Sequence, residues 1–369
     1  MQVLRVNKIY GELYRNEIRF MGVLKKTCLF EEDGDYIFIP LSRTLTADEM
    51  EKLDLAVWDA YASINPIKHR EKIELPSCSP VEREGLKRSK KKTTPQNRVI
   101  ARLREFGFPE HMLYAVPRKW ERFGEILIIR LNEVPREYES LMANAFMEVL
   151  GATAVFADHD GIRGEFRTPE LRRIAGKKSV TTHLENGIRY TFDVTGIMFS
   201  SGNIDERVHF SKIDASDETV VDMFSGIGYF TLPLAVYGRP RKIHAIEKNP
   251  QSFSYLKLNL EKNRVTNVVD PILGDNREVG PTSVADRVIM GYLPTANIFI
   301  PRALEFLRPS GGIIHFHYTC KKKERETIVN KAFRDVLHEN GRVYEIMDLR
   351  VIKSYAPFIY HCVADVRVG

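Results

Sequence analysis

Between residues 219 and 317 five short apolar segments, TVVDMF, KIHAIE, VDPIL, DRVIMG and GGIIHFH, alternate with stretches of helical character. That alternation constrains the fold more than any other feature of the chain. Runs that are apolar on both faces suit strands covered on both sides, and the helical stretches between them suit crossover connections. The expected fold class is therefore α/β, a Rossmann-like, doubly wound parallel sheet over residues 201–369.

The remaining length reads as smaller units. Residues 1–65 suggest a small N-terminal α/β domain, 66–108 a basic linker running into a basic helix, and 109–200 a middle α/β domain with a strand at ILIIRL and another at RYTFDV. The net charge is +6, and eight Lys or Arg residues between Leu86 and Arg104 meet no acidic residue in that stretch. Lys87, Arg88, Lys90, Lys91, Lys92 and Arg98 are thus candidates for phosphate contacts, with Arg102 and Arg104 continuing the run. A solvated linker is the alternative reading of the same lysines. A second cluster, Arg163, Arg167, Arg172 and Arg173, surrounds GEFRTPELRR, and Lys353 lies in KSYAP.

The four cysteines lack metal-ligand or disulfide spacing, so no metal is expected. No uncharged apolar run is long enough for a membrane span, and the start lacks the features of a secretory signal; a cytosolic protein, taken as a monomer, is expected.

The first strand of the regular region runs into Asp222-Met-Phe224-Ser225-Gly226-Ile-Gly228, where two glycines permit a tight turn and close backbone approach to a ligand. Thr231 stands where a dinucleotide fingerprint would have its third glycine. An adenosyl-amino-acid ligand therefore fits better than a pyrophosphate, with Asp222 near the ligand's amino group. The second strand ends in Glu247-Lys248, which places Glu247 to accept from both ribose hydroxyls. The third ends in Gly274-Asp275-Asn276, where Asp275 could accept from an adenine amino group. All three loops fall at carboxyl ends of neighbouring strands, the ligand edge of open α/β sheets. The cofactor expected on these residues is S-adenosylmethionine.

DMFSGIGYFTLP, GDNRE, ADRVIMGYLPTA and KSYAP together resemble the tRNA guanosine-37 modification superfamily, which holds guanine-37 N1-methyltransferases and the wybutosine-synthesizing protein 2 enzymes. The resemblance covers most of the chain. Methyltransferase members carry an asparagine after the fourth strand that is thought to hold the guanine; here Gly291-Tyr-Leu293-Pro294 resembles the wybutosine branch instead. FSSGNIDE points the same way, with Gly202 where the methyltransferases tend to have arginine. Residues 1–65 resemble the N-terminal, tRNA-docking domain of archaeal methyltransferases, which could accompany either chemistry.

The resemblance implies transfer of the 3-amino-3-carboxypropyl group from S-adenosylmethionine to carbon 7 of 4-demethylwyosine at position 37 of tRNA(Phe), in the anticodon loop. Methylation at nitrogen 1 of guanosine 37 is the alternative, and a tRNA-binding protein without catalysis is a further one. Each carbon on a sulfonium is open to displacement, so the pose of the donor selects the product. Gly291, Leu293 and Pro294 would shape that pose. Glu206 matches the position of a general base proposed for the methyltransferases; a helix cap or salt bridge is the other reading. His315 and His317 share one strand face, suited either to contacts with the base or the cofactor carboxylate or to simple backbone bonding. Tyr229 and Phe230 suit either stacking on a flipped base or core packing.

Overall fold

The computed structural model describes residues 2–7, 10–24, 31–33, 35–64, 78–82, 93–131, 133–164, 166–339 and 341–369. They form two compact units, Met1–Thr94 and Pro95–Gly369.

The first unit contains β1 (Gln2–Asn7), α1 (Gly11–Phe20), β2 (Glu31–Asp33), β3 (Tyr36–Pro40), α2 (Ala47–Ile64) and β4 (Cys78–Glu82). Its strands pair antiparallel in the order β2-β3-β1-β4. Leu4, Val6 and Ile39 on one sheet face pack against Tyr14 and Ile18 of α1 and Leu53 and Val57 of α2. Helix α2 starts at a capping box: Glu49 N–H donates to Thr46 Oγ1 at 3.2 Å and Thr46 N–H donates to the Glu49 carboxylate at 2.9 Å. Strand β4 lies inside the span expected as a linker; its pairing with β1, Val3 opposite Val81, makes it part of this sheet.

The second unit opens with α3 (Pro95–Glu105), β5 (Trp120–Phe123), β6 (Ile126–Ile129), α4 (Arg136–Leu150), β7 (Ala154–Arg163) and β8 (Thr168–Gly176), the strands ordered β5-β6-β7-β8. Helix α3 is no extension of a linker either. Val99 and Leu103, one turn apart, are fully buried among Met142, Phe146 and Val155. The hairpin β9 (Val180–Glu185) and β10 (Ile188–Asp193) follows, then α5 (Ile204–Phe210).

The large sheet is built from β11 (Thr219–Asp222), β12 (Lys242–Glu247), β13 (Val269–Leu273), β14 (Arg287–Met290), β15 (Gly312–Cys320), β16 (Tyr344–Ala356) and β17 (Ile359–Val368), with α6 (Thr231–Tyr237), α7 (Pro250–Lys262), α8 (Ile300–Phe306) and α9 (Arg325–Glu339) as connections. The strand order is β13-β12-β11-β14-β15-β17-β16. Every residue of β11 and β14 is buried, as expected of strands covered on both faces. Neighbouring side chains diverge to opposite cores: Val220 and Ile289 pack with Ile243 and Leu256, while Val221, Val288 and Met290 pack with Ile246 and Phe306.

The sheet departs from the expected parallel pattern at one edge. β17 runs antiparallel to both β15 and β16. Only two residues, Pro357 and Phe358, separate β16 from β17, and Phe358 takes a φ of 63°. So short a reversal permits an antiparallel pair alone, because a parallel one needs a crossover of a dozen residues or more. Among the described residues no helix is long and apolar enough to cross a membrane.

Candidate functional site

Three loops at the carboxyl ends of β11, β12 and β13 are tied to one another by hydrogen bonds. Ser225 donates to Ile246 O through both N–H and hydroxyl, at 2.9 and 3.0 Å. Glu247 accepts from Gly226 N–H at 2.8 Å and from Asn249 N–H at 2.7 Å. Asn276 Nδ2 donates to Met223 O at 3.0 Å. Gly226 has φ of 56°, and a β-carbon there would lie 2.4 Å from the Tyr229 ring, so only glycine permits this turn.

A cavity opens over this edge. Phe224, Gly226, Glu247, Lys248, Asp275, Asn276, Gly291 and Leu293 line it, as do Arg167 and Lys353. The sequence-derived residues that it does not bring to the lining are informative. Asp222 and Ser225 are buried beneath the wall and Gly228 sits in the turn. Pro294, joined to Leu293 by a cis peptide bond, is not among the lining residues. Arg98 is exposed on α3, outside the cavity. Lys87, Arg88, Lys90, Lys91 and Lys92 lie outside the described residues. Arg102 and Arg104, by contrast, are held at 2.6 Å by Glu148 and Glu110. Of the second arginine cluster, Arg163 pairs with Glu170, Arg172 with Glu139, and Arg173 donates to Lys177 O. Arg167 reaches the cavity.

Glu206, expected as a general base, is 1% exposed and absent from the lining. Its two oxygens accept from Arg350 at 3.0 and 3.2 Å, and Arg350 also binds Asp365 at 2.6 and 2.8 Å. The salt-bridge reading is the one the structure supports. His315 is likewise engaged, between Arg287 at 2.8 Å and Asp365 at 2.6 Å.

One end of the cavity suits an adenosine. Phe224 and Tyr292 stack at 5.0 Å and Phe299 closes on them edge-on, giving a broad apolar face. Asn276 Oδ1 is buried without a hydrogen-bond partner among the described residues, so an incoming N–H would recover that cost. Glu247 uses one lone pair of each oxygen on the backbone and keeps others for hydroxyl donors. Burial raises its pKa, whereas hydrogen bonds from Arg277 hold Asp275 well below the usual carboxylate range. Asp222 is pushed up to about 7 by burial, which outweighs its hydrogen bonds from Thr231 and Phe224 N–H.

The opposite end is basic and aromatic. Gly291 packs on Phe230: a β-carbon at 291 would lie 2.9 Å from Phe230 Cε2. A β-carbon at Gly202 would lie 2.8 Å from Lys353 Cδ. Both glycines that set this chain apart from the methyltransferase pattern therefore make room for a side chain of the cavity wall. Lys353 donates to Ser200 Oγ, and burial together with Arg167 and Arg207 lowers its pKa. Tyr292, Phe299 and His361 also line the site, and the sequence did not single them out as ligands.

The methyltransferase profile of the TRM5/TYW2 family (described as "TRM5/TYW2 methyltransferase domain") matches residues 181–346, and the "TYW2 N-terminal domain" profile matches residues 102–179. A Pyrococcus horikoshii protein named tRNA(Phe) (4-demethylwyosine(37)-C(7)) aminocarboxypropyltransferase is 39% identical over 70% of this chain and 92% of its own length. The chain belongs to the TRM5/TYW2 family. The crystal structure of P. horikoshii TYW2 in complex with MeSAdo superposes with a TM-score of 0.67 at 37% identity, covering 74% of this chain and 98% of that one. That of Trm5b from Pyrococcus abyssi gives 0.66 at 28% identity over 100% of this chain and 99% of the other. Both branches of the TRM5/TYW2 family thus share the Rossmann-like fold found here, and the Trm5b likeness extends over the first unit as well.

Proposed function

We propose that this chain transfers the 3-amino-3-carboxypropyl group of S-adenosylmethionine to carbon 7 of 4-demethylwyosine at position 37 of tRNA(Phe). The observation that carries the choice within the family is the Gly291–Phe230 contact, 2.9 Å from where a β-carbon would stand. A side chain there, such as the guanine-holding asparagine of the methyltransferases, has no room while Phe230 stays in place. The TYW2 N-terminal match and the aminocarboxypropyltransferase likeness agree with that choice.

In this reading Glu247 accepts from the ribose hydroxyls, Asn276 Oδ1 and Asp275 receive the adenine edge, and Phe224 with Tyr292 supplies its apolar face. Asp222 acts from below the wall, holding the glycine turn through Phe224 N–H at 3.2 Å. The donor is the co-substrate: its sulfonium makes the γ-carbon of the methionine arm open to displacement. Arg167 and Lys353, at the basic end, suit anionic groups of the donor arm or of the anticodon loop. The first unit, residues 1–94, docks the tRNA, with the lysine run 87–92 near its end supplying phosphate contacts. A cytosolic monomer belongs to the same proposal.

The test is incubation with S-adenosylmethionine and two tRNAs, one carrying guanosine and the other 4-demethylwyosine at position 37, followed by nucleoside mass spectrometry. Addition of an aminocarboxypropyl group to the tricyclic base with release of methylthioadenosine is expected. Methylation of plain guanosine with release of adenosylhomocysteine refutes the proposal.

A further inference from the structure

At the acceptor end of the cavity the sheet carries a transverse row of functional side chains. Met290 of β14 is in register with Phe316 of β15, so Gly291 and His317 are neighbours across the strand ends. On the far side of β15, His317 Nδ1 lies 3.0 Å from His361 Nε2. His361 is in turn opposite Lys353 of β16. Gly291, His317, His361 and Lys353 all line the cavity.

The two imidazoles are each 1% exposed, and each keeps one nitrogen, His317 Nε2 and His361 Nδ1, buried without a hydrogen-bond partner among the described residues. Two neutral imidazoles that share one hydrogen bond must present one bare nitrogen and one N–H at their outer ends. The pair is thus built to accept a proton at one end and give one up at the other. Phe230, which packs against Gly291, also lies 4.9 Å from the His317 ring, so the wall that bounds the acceptor base reaches this imidazole.

The reaction needs such a group. Attack by a ring carbon leaves a proton on that carbon, and the aromatic system is restored when it departs. The carboxylates do not serve this end: Glu247 and Asp275, which line the cavity, sit with the adenosine face, and Glu206 lies outside the lining, held by Arg350. Tyr229 donates its hydroxyl to Met198 O at 2.5 Å.

We propose that His317, relayed through His361, takes the proton released from carbon 7 of the acceptor base, which rests on the aminocarboxypropyl reading above. The π pair at carbon 7 forms the bond to the γ-carbon, and the pair of the carbon–sulfur bond stays on sulfur as neutral methylthioadenosine. The carbon 7–hydrogen pair returns to the ring while His317 Nε2 takes the proton. His317 Nδ1–H passes to His361 Nε2, and His361 gives up its Nδ1 proton toward the cavity that the residue lines. One positive charge leaves the sulfonium and one proton leaves through the pair, so charge balances. Burial keeps both imidazoles neutral, and Lys353 and Arg167 beside His361 add to that, so the accepted proton is not retained.

The test uses the full-length protein and tRNA bearing 4-demethylwyosine with hydrogen or deuterium at carbon 7. In the wild type, proton removal by His317 is expected to be faster than carbon–carbon bond formation, so no primary isotope effect is expected. His317→Asn is expected to lower kcat by about 10²-fold or more, with S-adenosylmethionine affinity unchanged by calorimetry and a primary isotope effect appearing. His361→Asn, a positioning and relay variant, is expected to lose about tenfold and to show the same isotope effect. Wild-type kcat in both variants, or a fall in kcat with no isotope effect, overturns the proposal. If the wild type itself yields no aminocarboxypropyl product, the parent reading has failed instead, and the two failures are distinct.

Discussion

Replacing Gly291 by alanine adds one methyl group where the cavity wall is packed against Phe230. Its β-carbon would meet Phe230 Cε2 at 2.9 Å and Cδ2 at 3.2 Å, well inside ordinary carbon contact. Phe230 has little room to yield, being 4% exposed and held at 4.9 Å by both Phe210 and His317. Overpacking of this kind costs about 1–3 kcal/mol. The displaced ring also moves the wall that faces the acceptor, and a misplacement on the order of 1 Å costs up to about 10²-fold in rate. Gly291→Ala is therefore expected to lose stability by that amount and aminocarboxypropyl transfer by roughly ten- to a hundredfold. Phe230→Leu in the same chain should relieve the clash, so the stability change of the double variant falls short of the sum of the singles by about 0.5 kcal/mol or more. Urea unfolding read by hydrogen exchange of β14 and β15 peptides reports on this unit alone. Additivity within about 0.3 kcal/mol would show that the methyl and the ring do not compete for space.

Glu247→Ala should weaken S-adenosylmethionine binding by about tenfold or more, since hydrogen bonds to a charged group contribute about 1.5–3 kcal/mol each; unchanged affinity by calorimetry would remove Glu247 from the ribose assignment. Asp222 has its folded-state pKa raised from 3.8 to about 7, so the folded protein binds more protons than the unfolded chain between those values, and stability from this group is lost as pH rises through that window. The isosteric Asp222→Asn lacks that loss. Its melting temperature relative to wild type should climb from pH 4 to about 7 and level off above; a difference independent of pH would contradict a buried, weakly acidic Asp222.

The cofactor edge was legible because it is written locally. Apolar runs of strand length end in Asp222, Glu247 and Gly274-Asp275, and the topology of a parallel sheet does the rest by placing those ends side by side. What was missed depends on partners distant in sequence. Glu206 is a plausible base until Arg350, 144 residues on, is folded against it. His361 has no recognisable signal, because only the antiparallel return of β17 puts it beside His317, 44 positions earlier. The edge hairpin β16–β17 is itself hard to read, since much of β16 is exposed or half-buried and its register with β17 is interrupted by bulges. The arginines near residues 102 and 163 find acidic partners on neighbouring elements, Arg102 at Glu148, Arg104 at Glu110 and Arg163 at Glu170, and Arg102 also pairs with Glu105 on its own helix.

The bonds that run from Ser225 to Ile246, from Gly226 to Glu247 and from Asn276 to Met223 lace three separate loops into one frame. A nucleoside arriving there meets a mould that is already set, and its binding energy is not spent on freezing the loops. Loosening any one of the three laces would therefore appear first as a less favourable entropy of binding, even where no contact to the nucleoside itself has been touched.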